Sequence, residues 1–155
     1  NYSQMAHAVA DLLITPINDS LIDFDLLAKI DPKTGRVLGP SVYSEMVWSA
    51  RQARAQSERP PIEWVIVRNR MSQVYSRNKK RVNTALVDLS KRIGFKLSSG
   101  FSDRVVFKEL FLSGLTLLDL NDAESWELTL SNIAAKQELR ELLSFLKFYE
   151  SANSL

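Results

Sequence analysis

The chain has 155 residues, 45% apolar and 25% charged, a length and balance that suit one globular domain. It has no cysteine and a single histidine, His7. Disulfides and thiolate metal sites are therefore excluded, and His7 alone cannot build a zinc site. The net charge is +2 but uneven: from Arg68 to Lys108 eleven Lys/Arg face only Asp88 and Asp103, so this window carries +9 and the remainder −7. Such asymmetry suggests a face for an anionic partner.

The opening residues, "NYSQMAHAVADLL", read as a helix feeding a strand. They lack the basic stretch followed by an apolar one that marks a signal peptide. No apolar run approaches the roughly 18 residues of a membrane span. These features fit the cytoplasm. A chain beginning at Asn1, inside such a unit, is expected to be a piece of a longer polypeptide.

Asp11–Thr15 reads as the first strand, running into "TPINDS" and two more acids, Asp23 and Asp25. Those acids could help hold a metal through water, or sit at a helix start where carboxylates are favoured. "DPKTGRVLGP" at 31–40 has turn chemistry throughout and suits a small hairpin or an ordered loop. Residues 41–56 follow Pro40 and place Val42, Met46, Ala50 and Ala53 at helical spacing, with Tyr43 and Val47 alongside. Pro60-Pro61 precedes the second strand, Trp64–Asn69. "WVIVRN" is apolar on both alternating faces, as in a parallel strand covered on both sides. Residues 77–93 follow Ser76, a good N-cap, and stop before Gly94, a good C′ residue. At about 100° per residue, Val82, Leu86, Leu89 and Ile93 share one face of this helix, with Arg77, Lys80, Arg81, Lys91 and Arg92 opposite. Phe95–Phe101 is a weaker third strand. Phe95, Phe101, Phe107 and Phe111 read as core. The last helix, 131–149, spaces Ala135, Leu139, Leu142, Leu146 and Tyr149.

Strands alternating with helices imply right-handed crossovers and an α/β fold, an open, mostly parallel sheet with flanking helices. Ligands bind such sheets outside the carboxyl ends of the strands. Here all three ends are polar: "TPINDS", "RNR" and "GFSDR". Turn chemistry explains any one of them; all three together point to a ligand edge. The amide of Asn69, flanked by Arg68 and Arg70, can pair with the edge of a purine base or tie down its own loop. The basic helix face is either a solvated surface or a surface for phosphate backbone, read without sequence. Asp88 is its only acid, and no aromatic platform for stacking single strands accompanies it. No G-x-x-x-x-G-K-[ST] loop, G-x-G-x-x-G turn or Ser-His-Asp set occurs. No catalytic residue and no metal site is assigned.

The motifs "ADLLITPINDSLIDFD", "EMVW", "WVIVRNRM", "RNKKR", "KRIGF", "DRVVFKELFLSGLTLLDL" and "AAKQELRELL" resemble the MipZ family over residues Met5 to Leu146. These are division-plane positioning ATPases related to the ParA/MinD group of deviant Walker ATPases. The match is to the C-terminal part of a single P-loop NTPase domain, spanning residues 1–155, with the N-terminal P-loop half absent. The resemblance implies ATP and Mg2+ as cofactors of the intact protein and an ATP-dependent homodimer. It also implies non-specific chromosomal DNA, FtsZ (whose polymerisation the family inhibits) and ParB as partners, and a nucleoid-associated cytoplasmic location without membrane contact. Asn69 matches the position expected to recognise adenine, with Arg70, Pro16, Phe101 and Ser102 nearby. Asn18, Asp19 and Ser20 match a loop near the dimer interface. Arg77, Lys80, Arg81, Lys91 and Arg92 match a DNA-binding surface by region. The Walker A lysines are not in this sequence, so this chain alone is not expected to bind or hydrolyse ATP. The alternative is a non-catalytic DNA- or protein-binding α/β domain that has lost its P-loop.

Overall fold

A computed structural model describes residues 2–18, 20, 23–31, 37–72, 77–121 and 129–146, without the side chains of residues 30, 77–82 and 121. The elements in chain order are α1 (Tyr2–Val9), β1 (Leu12–Asn18), β2 (Ala28–Ile30), β3 (Val37–Pro40), α2 (Val42–Gln56), β4 (Glu63–Asn69), α3 (Arg77–Ile93), β5 (Lys96–Leu97), α4 (Val105–Leu112) and α5 (Leu130–Phe145), with 3-10 turns at Asp23–Leu26 and Asp119–Asn121. The fold is α/β: a parallel three-stranded sheet in the order β1-β4-β5, flanked by helices. The chain divides into two compact units, Asn1–Val67 with Tyr75–Leu97, and Arg68–Val74 with Ser98–Leu155.

The first unit is built around the middle strand. Trp64 through Val67 of β4 are all buried, as this uninterrupted apolar run requires of a strand covered on both faces. β5 pairs parallel to it through Val65–Lys96 and Ile66–Leu97. The core gathers Ile17, Phe24, Leu27, Val47, Trp64, Ile66, Leu86, Leu89 and Phe95. Edge-on ring contacts run from His7 through Tyr43 and Trp64 to Phe95. The indole Nε1–H of Trp64 donates to Thr15 Oγ1 at 3.0 Å, so the one polar atom of this buried ring is satisfied.

Several expectations need correction. β1 does not stop at Thr15 but continues through Pro16 to Asn18. It is an edge strand of the β1-β4-β5 sheet, the position where a strand tolerates a proline without a ladder donor. The hairpin expected at 31–40 is met, with β3 antiparallel to β2. On α2 the buried residues are Ser44, Val47, Ala50 and Arg54, while Val42 is 77% exposed. Two polar residues can take this face because each is bonded there. Ser44 Oγ donates to the Leu27 carbonyl at 2.6 Å, and Arg54 donates to the Pro60 and Ala10 carbonyls at 2.8 and 2.9 Å. The helix begins at its N-cap, Ser41, whose hydroxyl accepts from Ser44 N–H at 3.1 Å. Beyond Leu97 the chain does not continue as regular strand to Phe101, and Gly100 within that span adopts a positive φ of 80°.

The second unit has its own smaller core. Val106 and Leu110 of α4, Leu117, Leu120 and Ala135 of α5 are buried, with Phe107, Leu115 and Leu139 packed against them. α4 was not foreseen. It leaves Phe111 83% exposed, so Phe111 is not a core residue. α5 ends at Phe145 and its N-cap, Thr129, accepts from Asn132 N–H at 3.2 Å. Tyr149 lies outside the described residues.

Candidate functional site

The second unit brings two sequence-predicted stretches together. Asn69 closes β4 with its side chain exposed, and Arg70 follows with a positive φ of 53°. Beside them runs Gly100–Asp103. Phe101 N–H donates to the Arg68 carbonyl at 2.7 Å, Met71 N–H to the Phe101 carbonyl at 2.9 Å, and Asp103 N–H to the Met71 carbonyl at 2.9 Å. Met71 and Ser102 form a parallel bridge. The approach is close enough that a Cβ on Gly100 would lie 2.3 Å from the Arg68 carbonyl oxygen. Glycine is needed here both for the positive φ and for the space.

Phe101 is half-buried, with its ring edge-on to Phe107 at 5.9 Å. Ser102 is held from α5: its N–H donates to Glu138 Oε2 at 3.2 Å and its hydroxyl to Glu138 Oε1 at 2.7 Å. Arg104 completes the set, donating from Nη2 to Oε1 at 2.9 Å and from Nε to Oε2 at 3.4 Å. Burial works against ionisation of Glu138, but the hydrogen bonds from Arg104 and Ser102 outweigh it and hold the carboxyl below the usual carboxylate range. Four donors converge on one ionised carboxylate, which leaves Glu138 a clamp and a poor general base. The exposed Asn69 amide offers a donor and an acceptor, and Phe101 offers an aromatic surface. Such an arrangement suits a planar, hydrogen-bonding ligand.

Glu138 was missed in the sequence. It sits between Lys136 and Arg140 on a helix, where an acid reads as ordinary surface charge. The available signal was indirect: Arg104, in "GFSDR", had no acid near it in sequence except Asp103.

The other predicted residues lie in the first unit. Pro16 is exposed within β1. At the strand end, Asn18 N–H donates to Asp23 Oδ2 at 2.9 Å, Ser20 N–H to the Asn18 carbonyl at 2.8 Å, and Asp23 N–H to the Ser20 carbonyl at 3.2 Å. This polar cluster wires its own turn, and Asp23 and Asp25 stand in the first turn of the following 3-10 helix. Asp19 lies outside the described residues, as do the side chains of Arg77, Lys80 and Arg81 on α3. Leu86 and Leu89 bury the expected apolar face of α3, and Lys91 and Arg92 are exposed in its last turn. Among the described residues, part of the positive charge does not form open basic surface. Arg68 is buried, Lys96 pairs with Glu63 at 2.6 Å, and Arg104 is committed to Glu138.

A groove of about 450 Å³ also opens in the first unit, lined by Leu38 and Pro40 of β3, Trp48 and Arg51 of α2, Trp64, and Arg92 and Ile93 of α3. Burial lowers the pKa of Arg51, but a guanidinium stays charged at any ordinary pH. Its Nη2 donates to the Gly94 and Ile62 carbonyls at 2.8 and 3.1 Å. Among the described residues no cluster of His, Cys, Asp and Glu could hold a metal ion, and no helix is long and apolar enough to cross a membrane.

A search of curated proteins finds no match to this chain. A family model described as ATPase MipZ matches residues 1–150, nearly its full length.

Proposed function

The chain belongs to the MipZ ATPase family, and we propose that it supplies the base-recognition part of an ATP-dependent, dimerising ATPase that positions the division plane. The Walker A lysines are not in this sequence, so no residue of this chain is assigned to the phosphates or to Mg2+. The observation that supports the reading is the backbone pairing of the stretch around Asn69 with Phe101–Asp103, at a strand end where the Asn69 side chain is exposed. In this reading Asn69 pairs with the adenine edge, while Arg70, Phe101 and Ser102 form its surroundings. A nucleotide role for Pro16, and a role near the dimer partner for Asn18, Asp19 and Ser20, rest on the family resemblance alone.

The same reading gives Arg77, Lys80, Arg81, Lys91 and Arg92 to non-specific chromosomal DNA. Binding there would fall steeply with salt, because affinity for phosphate backbone comes from counterion release. FtsZ and ParB are the protein partners in this proposal. The test is Asn69→Ala in the full-length gene product. ATP affinity, measured by calorimetry, should fall about tenfold, the value of losing a paired amide contact of roughly 1.4 kcal/mol. Unchanged affinity sinks the assignment.

A further inference from the structure

We propose that Glu138 is a positioning residue for the nucleotide base: from α5 it latches the Phe101–Arg104 loop in the position that faces Asn69. The proposal rests on the base-site reading above and adds to it a control point on a helix that does not itself carry the site.

The geometry is specific. The loop is tied on one side by backbone bonds to Arg68 and Met71. Its other tie is the carboxylate of Glu138, which takes both donors of Ser102 and two from Arg104. Side-chain exposure is 12% for Arg104 and 16% for Glu138, so water competes poorly for these bonds. Without the carboxylate, the Ser102 N–H and hydroxyl and the Arg104 guanidinium lose their shared acceptor. An unpaired, largely buried guanidinium then favours moving toward solvent, and Arg104 draws the loop with it. A site that is closed only part of the time binds its ligand more weakly in proportion to the closed fraction. The base-site reading assigns no triphosphate contact to this loop.

The experiment uses the full-length gene product and two ligands, ATP and inorganic tripolyphosphate, each titrated calorimetrically with Mg2+ present. Glu138→Ala should weaken ATP about tenfold, matching a loop closed roughly one-tenth of the time, and leave tripolyphosphate affinity unchanged. Glu138→Gln, which keeps an acceptor for Ser102, should lose less. Ser102→Ala, which removes one donor without stranding a charge, serves as the milder variant and should shift ATP alone in the same direction. Equal loss for both ligands would mean that Glu138 merely supports folding, and unchanged ATP affinity would mean that the loop needs no latch; either result overturns the proposal. Asn69→Ala separates the two readings. If it weakens ATP while Glu138→Ala does not, only the latch falls. If Asn69→Ala also leaves ATP unchanged, the base site itself is wrong and the latch falls with it.

Discussion

Two polar loops of this chain began as equals in the sequence and are used differently in the fold. The end of β1 spends its short polar groups on itself: Asp23 accepts from Asn18 N–H, and Ser20 bonds to the Asn18 carbonyl. The end of β4 does the reverse. Its backbone bonds go to Phe101 and Asp103, and the Asn69 side chain is left exposed. The loop beside it is held by a charged clamp from a helix more than thirty residues away in sequence. A polar strand end therefore says little until its bonding is known. The informative case is the amide that stays available while neighbouring groups are satisfied.

The two units also differ in what holds them. The first rests on a large aromatic and aliphatic core around Trp64, and the second on a small core plus the Glu138 clamp. The sharpest way to test that contrast is Trp64→Ala. It empties a fully buried position and removes the donor to Thr15, so it should cost about 4 kcal/mol. Hydrogen exchange should rise across β4 and α2 in particular. A cost below about 1 kcal/mol would break the account of the first core.

A smaller loss is expected from Gly100→Ala, about 2 kcal/mol, because it combines a positive φ with a steric clash against the Arg68 carbonyl. Exchange should rise at residues 100–103 while α2 stays protected. Equal deprotection of both would contradict the separation of the two units.

The smallest effect is that of acid. The folded pKa of Glu138 lies below its unfolded value. Its stabilising contribution is therefore complete above the unfolded carboxylate pKa of about 4.3, and is lost as pH falls through the lower, folded value. Urea midpoints compared at pH 7 and pH 3 should converge between wild type and Glu138→Gln as the pH drops. A constant difference between them would remove the ionised clamp from the account.

Much of the fold was legible from particular residues. β4 was expected because four consecutive apolar residues, Trp64 to Val67, fit a strand buried on both faces. α3 was placed by its C′ residue Gly94, which adopts a positive φ of 80°, and α2 was expected after Pro40, next to the Ser41 that caps it in the fold. The misses have physical causes. β1 runs on through Pro16 because it lies at the sheet edge. β5 ends at Leu97, and Gly100 with its positive φ keeps the expected strand from reaching Phe101. The buried face of α2 contains Ser44 and Arg54, which apolar periodicity cannot find. At the site, Asn69 and the "GFSD" stretch were visible as polar strand ends. Glu138 was not, since its partnership with Ser102 and Arg104 exists only in three dimensions.

The most direct measurement of the central claim is hydrogen exchange of the full-length protein with and without saturating ATP, compared with saturating tripolyphosphate. If Asn69 and the Phe101–Ser102 loop receive the base, ATP should slow exchange in residues 68–72 and 100–104 together, and tripolyphosphate should leave both segments unchanged. Identical exchange with the two ligands across both segments would contradict it.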